Sequence, residues 1–186
     1  MRWIDRVRHA YRALTLADFP QTREWLSPPV AAGVAVTQES ARGITAYWNG
    51  VQIISGTMGV LDRCLYRRVG EDDRERAVGH PTYRVLHDAP NPYMTPQVFW
   101  ETLVSHAVSW GNGYAEIEWD NSMRPIALWP VTPDKLEPMT EQVVERGRRS
   151  TRVWYRYDGR ERLEAEDVLH VPGLGFDGLR GYSPVV

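Results

Sequence analysis

The chain has 186 residues, 42% of them hydrophobic and 25% charged, with a formal net charge of −2. That length suits one good core with an appended arm, and so neutral a balance excludes a protein that grips nucleic acid with its whole surface, because tight phosphate binding needs many uncompensated cations. The single cysteine, Cys64, excludes an internal disulfide and a thiolate metal cluster and points to a reducing compartment, while no apolar run approaches the roughly 18–20 residues of a membrane span.

Residues 2–14 place Trp3, Val7, Ala10, Tyr11 and Leu14 at helical spacing among arginines, which predicts a short helix: a surface element, or an arm that packs on a partner. This start lacks the apolar core of a secretory signal. Residues 15–36 carry Pro20, Pro28 and Pro29 without a sustained period and read as a linker. The expected division is therefore an arm and linker over 1–36 and one folded domain over 37–186. Thr37 is a candidate N-cap, and Ile44, Trp48, Val51, Ile54 or Ser55, and Met58 mark one face of the helix behind it, weakened at its end by Gly56 and Gly59.

Val60–Val69 is a candidate strand, and residues 70–79 (GEDDRERAVG) read as a solvated charged loop. Pro81 suits the first turn of a short helix through Asp88, which Pro90 and Pro92 end. Thr95-Pro96 then caps the best helix in the chain, with Phe99, Leu103, Ala107 and Trp110 on one stripe, widened by Val104 and Val108. That helix stops on Gly111-Asn112-Gly113. Tyr114, Glu116 and Glu118 then alternate with Ala115, Ile117 and Trp119, the period of a strand. Asp120–Met123 is a hairpin turn, and Pro125–Pro130 is its partner strand. Glu137–Ser150 is polar, a variable loop or a long hairpin. Arg152–Tyr157 alternates, turns on Asp158-Gly159, and is answered by Arg160–Leu163; Asp167–Val171 is a last short strand. Helices first and hairpins later define an α+β class with a mainly antiparallel sheet.

Several motifs suggest chemistry and fail on context. Gly173, Gly175 and Gly178 match G-x-G-x-x-G, but Pro172 intervenes, and Gly181 and Pro184 oppose the helix that a dinucleotide site requires. A Walker A loop needs a lysine after its glycines, and Lys135, the one lysine, is not so placed. His80 and His87 flank a proline and His106 lies on the stripe helix, so the histidines read as satisfied polar groups and not as metal ligands. Asp167 and His170, three apart in a strand, should point to opposite faces. No nucleophile elbow is present, and Glu116 with Glu118 reads as the wet side of a half-buried strand. Arg152, Trp154 and Arg156 share a strand face, with Arg146, Arg148 and Arg149 nearby. This face could stack on bases or track phosphates, or it could be an edge strand kept soluble by arginine. Asn112 has an amide able to satisfy orphan helix carbonyls, and Gly111 supplies the left-handed turn, so Gly-Asn-Gly reads as a hinge that needs no phosphate.

The order of the pieces resembles tailed-bacteriophage portal proteins, in particular the large portal family of long-tailed phages and prophages. The resemblance is carried by His80-Pro81, Pro90-Asn91, Gly111-Asn112-Gly113-Tyr114, the strand ending at Pro130, Asp167–His170, and the glycine-rich loop ending at Ser183-Pro184. It covers about residues 40–186. It implies a portal wing-like α+β domain and a structural, non-enzymatic ring subunit, typically one of twelve, at the capsid vertex. No catalytic, cofactor-binding or metal-binding residue is implied. The implied partners are further copies of the chain, terminase, capsid and head-tail connector proteins, and double-stranded DNA in the channel, in the virion or host bacterial cytoplasm. No membrane partner is implied. Relatives continue beyond the Ser-Pro motif into stem, clip and tunnel parts. This chain is thus expected to be a fragment or a truncated gene product, monomeric or weakly associated alone. The alternative from the residues is a nucleic-acid-binding module using Arg152–Arg156.

Overall fold

The computed structural model describes residues 37–145, 148–175 and 177–185. The arm and linker over 1–36, and Arg146, lie outside the described residues. The long helix expected behind Thr37 is two helices, α1 (Gln38–Arg42) and α2 (Thr45–Val60), separated by a turn at Gly43. α2 has no charged residue and packs along α4 (Pro96–Trp110). The buried seam of α2 is Val51, Ser55 and Gly59, one residue every fourth position. Of the expected stripe, Ile44, Trp48, Ile54 and Met58 are exposed. The helices approach too closely for large residues, since a Cβ on Gly59 would lie 3.1 Å from the Gln97 carbonyl oxygen. Ser55 fits the seam because its Oγ donates to the Val51 carbonyl oxygen at 2.8 Å.

The candidate strand Val60–Val69 shortens to β1 (Tyr66–Arg68), because Val60 still belongs to α2. Its partner β2 (Arg74–Arg76) lies inside the segment expected to be a loop. This exposed ribbon gains its pairing from the Arg67–Glu75 ion pair across the register, a cross-strand effect that an apolar period cannot reveal. α3 (Pro81–Tyr83) begins with Pro81 in its first turn and the His80 Nδ1 accepting from the Thr82 N–H at 3.2 Å. It continues as a π-helical turn, Arg84–Asp88, closed by Ala89 N–H donating to the Arg84 carbonyl oxygen at 2.9 Å. The helix through Asp88 is therefore present, with a wider second half.

α4 starts as expected, with Thr95 Oγ1 accepting from Val98 N–H at 3.4 Å. It lies on a three-stranded antiparallel sheet with β3 (Asn112–Trp119) between β4 (Pro125–Val131) and β8 (Val168–Pro172). A second three-stranded sheet orders β5 (Leu136–Glu145), β6 (Arg148–Tyr157) and β7 (Glu161–Glu164). The polar segment Glu137–Ser150 is thus most of a long hairpin. β6 is the central strand, so the reading of Arg152–Arg156 as an edge strand is corrected. Asp167 closes a 3-10 turn (Ala165–Asp167) and stands before the last strand, not within it.

The two faces of β3 feed two cores, because successive side chains alternate. Ala115 joins Val85, Phe99, Leu103 and Leu128 under α4. Tyr114 joins Val131, Leu136, Tyr155 and Val168 between the sheets. The architecture is α+β, as the order of elements predicts.

Candidate functional site

Three stretches of main chain meet where α4 ends. Gly111 adopts a left-handed φ of +83°, which a glycine reaches without strain. Its carbonyl oxygen accepts from Gly173 N–H at 2.7 Å. A Cβ would lie 2.5 Å from the Tyr182 carbonyl carbon at Gly111, 2.3 Å from the Leu103 carbonyl oxygen at Gly113, and 2.0 Å from the Gly111 carbonyl oxygen at Gly181. These glycines let the end of α4, the start of β3 and the loop after β8 touch backbone to backbone. Gly173 of the G-x-G-x-x-G pattern serves this crossing, and Asp177 accepts from Leu179 N–H at 2.8 Å and Arg180 N–H at 2.6 Å within its own turn.

Asn112 binds both main-chain groups of one residue in that loop, as a strand would. Its Nδ2 donates to the Gly181 carbonyl oxygen at 3.2 Å, and its Oδ1 accepts from Gly181 N–H at 2.8 Å. The sequence expectation that this amide serves helix carbonyls is corrected by that geometry. His170 Nε2 lies 2.9 Å from the same Oδ1, and Nδ1 lies 3.3 Å from the Tyr155 hydroxyl. A neutral ring with its proton on Nε2 satisfies both contacts. Burial pushes His170 down to about 4 and pushes the Tyr114 and Tyr155 phenols up. Tyr114 covers the His170 ring at 4.6 Å between centroids. Asp167 is elsewhere, accepting from Trp119 Nε1 at 3.1 Å, so Asp167 and His170 are not brought together.

The other motif residues are fasteners too. Pro90 and Asn91 are buried. The Pro90 carbonyl oxygen accepts from Leu128 N–H at 2.7 Å, and Asn91 Nδ2 donates to the Leu128 carbonyl oxygen at 2.9 Å. Pro130 pairs with Ala115 in the β3–β4 register. Ser183 Oγ donates to the Ser109 carbonyl oxygen at 3.1 Å and accepts from Val185 N–H at 3.2 Å, with Pro184 between them. Gln38 Nε2 reaches both the Ser109 carbonyl oxygen at 2.7 Å and Ser183 Oγ at 2.6 Å. The sequence gives no hint of Gln38, because its partners lie 71 and 145 positions away.

The basic face of β6 is largely neutralised by its own sheet. Arg156 pairs with Glu137, which also receives Arg180 at 3.0 Å. Arg152 stands opposite Glu141 in the register. Arg162 lies over the Trp154 ring and holds Glu141 and Glu164, each at 2.7 Å. A second grouping was not legible in the sequence: Asp62, Cys64 and His87 present ligand-type atoms within 4.8 Å of one another. Its only sequence trace is Asp-x-Cys, since His87 comes from a different element.

Outside these fasteners, α2 and the residue after it leave Ile53, Ile54, Val60 and Leu61 exposed. Segments locked main chain to main chain, beside exposed apolar side chains, are the features of a structural domain. The chain belongs to the phage portal protein family, whose model matches residues 45–186. It is 26% identical over 155 residues to the portal protein of Enterobacteria phage HK97, covering 81% of this chain and 35% of that protein. It is 33% identical over 90 residues to Protein BeeE of Escherichia coli (strain K12), covering 48% of this chain and 57% of that protein. The chain thus spans less than two thirds of either relative. In fold it resembles a chain in the neck of an empty gene transfer agent particle, at a TM-score of 0.56 and 16% identity, covering 78% of this chain and 38% of that one. It also resembles a chain in a native neck computed with C12 symmetry, at a TM-score of 0.51 and 16% identity, covering 77% and 36%. Among the described residues no helix is long and apolar enough to cross a membrane.

Proposed function

We propose that residues 37–186 are the wing-like part of a portal-ring subunit at the capsid vertex, and that the exposed face of α2 meets a neighbouring copy. The ring would be a conduit for DNA packaging and ejection and the docking point for terminase, capsid and head-tail connector proteins, in virions assembled in the host cytoplasm. The observation that carries the reading is α2 itself: sixteen residues without a charge, buried only along a seam of small residues. A face of that kind is stabilised by a partner, because exposed apolar area is costly in water. Paired arginines on β6 and β7 and a net charge of −2 suit a channel through which DNA slides. No catalytic residue is assigned, and the hydrolysis that drives packaging would belong to the motor.

Sedimentation velocity at rising concentration tests the contact. Weak, reversible self-association is expected, and Ile53→Glu with Ile54→Glu should remove it without lowering the unfolding temperature. Association that survives the double variant, or a strictly monomeric chain at every concentration, would sink the assignment of α2.

A further inference from the structure

The segment after α2 is clamped in a way that aims two side chains at a third. Arg63 donates to the Met58 carbonyl oxygen, to that of Gly59 at 3.3 Å and to that of Leu61 at 2.8 Å. Its guanidinium lies 4.6 Å from the centre of the Trp100 ring. With Arg63 turned toward α4, its neighbours Asp62 and Cys64 turn together to the other side, the period of two expected of a chain entering β1. There they meet His87 on the π-helical turn. His87 Nε2 lies 2.9 Å from Asp62 Oδ1, and Cys64 Sγ lies 3.3 Å from Asp62 Oδ2. The His87 ring is fixed by stacking on Tyr83 at 4.8 Å and 25°.

We propose that Asp62, Cys64 and His87 form a divalent-cation site of the zinc type, with His87 Nε2, Cys64 Sγ and an Asp62 carboxylate oxygen as ligands and a solvent molecule in the fourth position. Proton counting at the imidazole favours it. Nδ1 of His87 lies 2.7 Å from Asp88 Oδ1, so a carboxylate oxygen faces each ring nitrogen. A neutral imidazole has one N–H and satisfies one of them. The other nitrogen then presents its lone pair toward Asp62 and Cys64, the groups a cation would share with it. A proton on Nδ1, donated to Asp88, leaves Nε2 as a free donor pair facing Asp62 and Cys64. That is the carboxylate–histidine arrangement that orients metal-bound imidazoles.

The donor set selects the ion. A thiolate with an imidazole and a carboxylate favours borderline-soft Zn2+ over Mg2+ or Ca2+, which take oxygen ligands. Tetrahedral zinc bonds hold such ligand atoms about 3.3–3.6 Å apart. The 2.9 and 3.3 Å separations run to the two different oxygens of Asp62, and all three ligand groups lie within 4.8 Å of one another, so side-chain rotation has to draw Sγ, Nε2 and one carboxylate oxygen together around the ion. Thiolate and carboxylate together cancel the charge of the ion, and Arg76, 3.7 Å from Asp62 Oδ2, remains an outer partner of the carboxylate. Asp62 is exposed, which leaves a route of entry. The site would clip the end of α2 to the helix carrying His87, and it holds whether or not α2 is a ring contact.

Titration of the full chain with Co2+ and with Zn2+ tests the proposal. Co2+ should give a thiolate-to-metal charge-transfer absorption that saturates at one equivalent, and Zn2+ should displace it. Zn2+ should also raise the unfolding temperature reversibly to chelator. Cys64→Ser or His87→Gln should abolish the absorption, and Asp88→Asn should weaken binding by about 10–100-fold. Because Cys64 is the one thiol, its alkylation by iodoacetamide is a readout free of folding effects: Zn2+ should slow it many-fold in the unmodified sequence. No charge-transfer absorption, or alkylation unchanged by Zn2+, would overturn the site.

Discussion

A carbon added at Gly113 would sit 2.3 Å from the Leu103 carbonyl oxygen, and that oxygen belongs to backbone, which cannot swing away. Gly113→Ala should therefore cost about 3 kcal/mol or more, with Gly111→Ala similar because strain at φ +83° adds to its clash. Gly159 provides the contrast. Its φ is +73°, but no atom stands within 4 Å of the position a Cβ would take, so Gly159→Ala should cost only about 1 kcal/mol. Urea unfolding of the three variants separates crowding from conformation. Gly-Asn-Gly was legible as a hinge because glycine after an apolar stripe is a helix stop. Its mating with Gly181 was not, since a pairing across 69 positions leaves no mark in local spacing.

His170 makes a pH-dependent prediction at the same scale. Its folded pKa is pushed down to about 4 from 6.5, so between those values the unfolded chain binds more protons. The stability it contributes is present above 6.5 and is lost as the pH falls toward 4. Burial shifts His106 in the same direction, while Glu116, raised by burial, acts oppositely. The measurement is thus a difference: stability should fall less steeply from pH 6.5 to 4 in His170→Gln than in the unmodified chain.

At the scale of elements, α2 shows where an apolar period misleads. Of the stripe Ile44, Trp48, Val51, Ile54 or Ser55, and Met58, only Val51 and Ser55 are buried, and Gly59 completes their line in place of Met58. Close helix packing selects small residues, and a hydrophobic pattern does not distinguish a face that meets this fold from one that meets a partner. Gly59→Leu should part the helices at a cost of about 2–3 kcal/mol. Gly56 has nothing within 4 Å, so Gly56→Ala should instead gain about 0.5–1 kcal/mol. Thermal unfolding should show shifts of opposite sign. α4, the β3–β4 hairpin and the β6–β7 turn were legible because capping, period and turn residues agree in each. β1 and β2 were not, because charge pairing across an exposed ribbon looks like a loop.

For the whole molecule, the order of motifs carried what no single motif could. Asn91, Asn112 and Ser183 are individually weak signals, but each fastens one segment to another, which is why they make sense as a series along the chain. The neutralised face of β6 bears on the nucleic-acid alternative. Arg156→Ala would leave Glu137 with Arg180 alone and should lower stability by up to about 1 kcal/mol, with duplex DNA affinity unchanged in a filter-binding assay at low salt. A large, salt-sensitive loss of affinity would favour the alternative.

Gln38 and Ser183, 145 positions apart, share one carbonyl at Ser109. The folded body therefore enters and leaves at a single point, and its first and last segments are neighbours. A short linker could join residue 185 to residue 38, with new termini opened in the loop between β1 and β2. Such a circular permutant should fold with the same cores, and its circular dichroism and unfolding temperature should match those of the unpermuted chain. A single doorway of this kind would let the body be joined to other segments on either side through one short stretch of its surface.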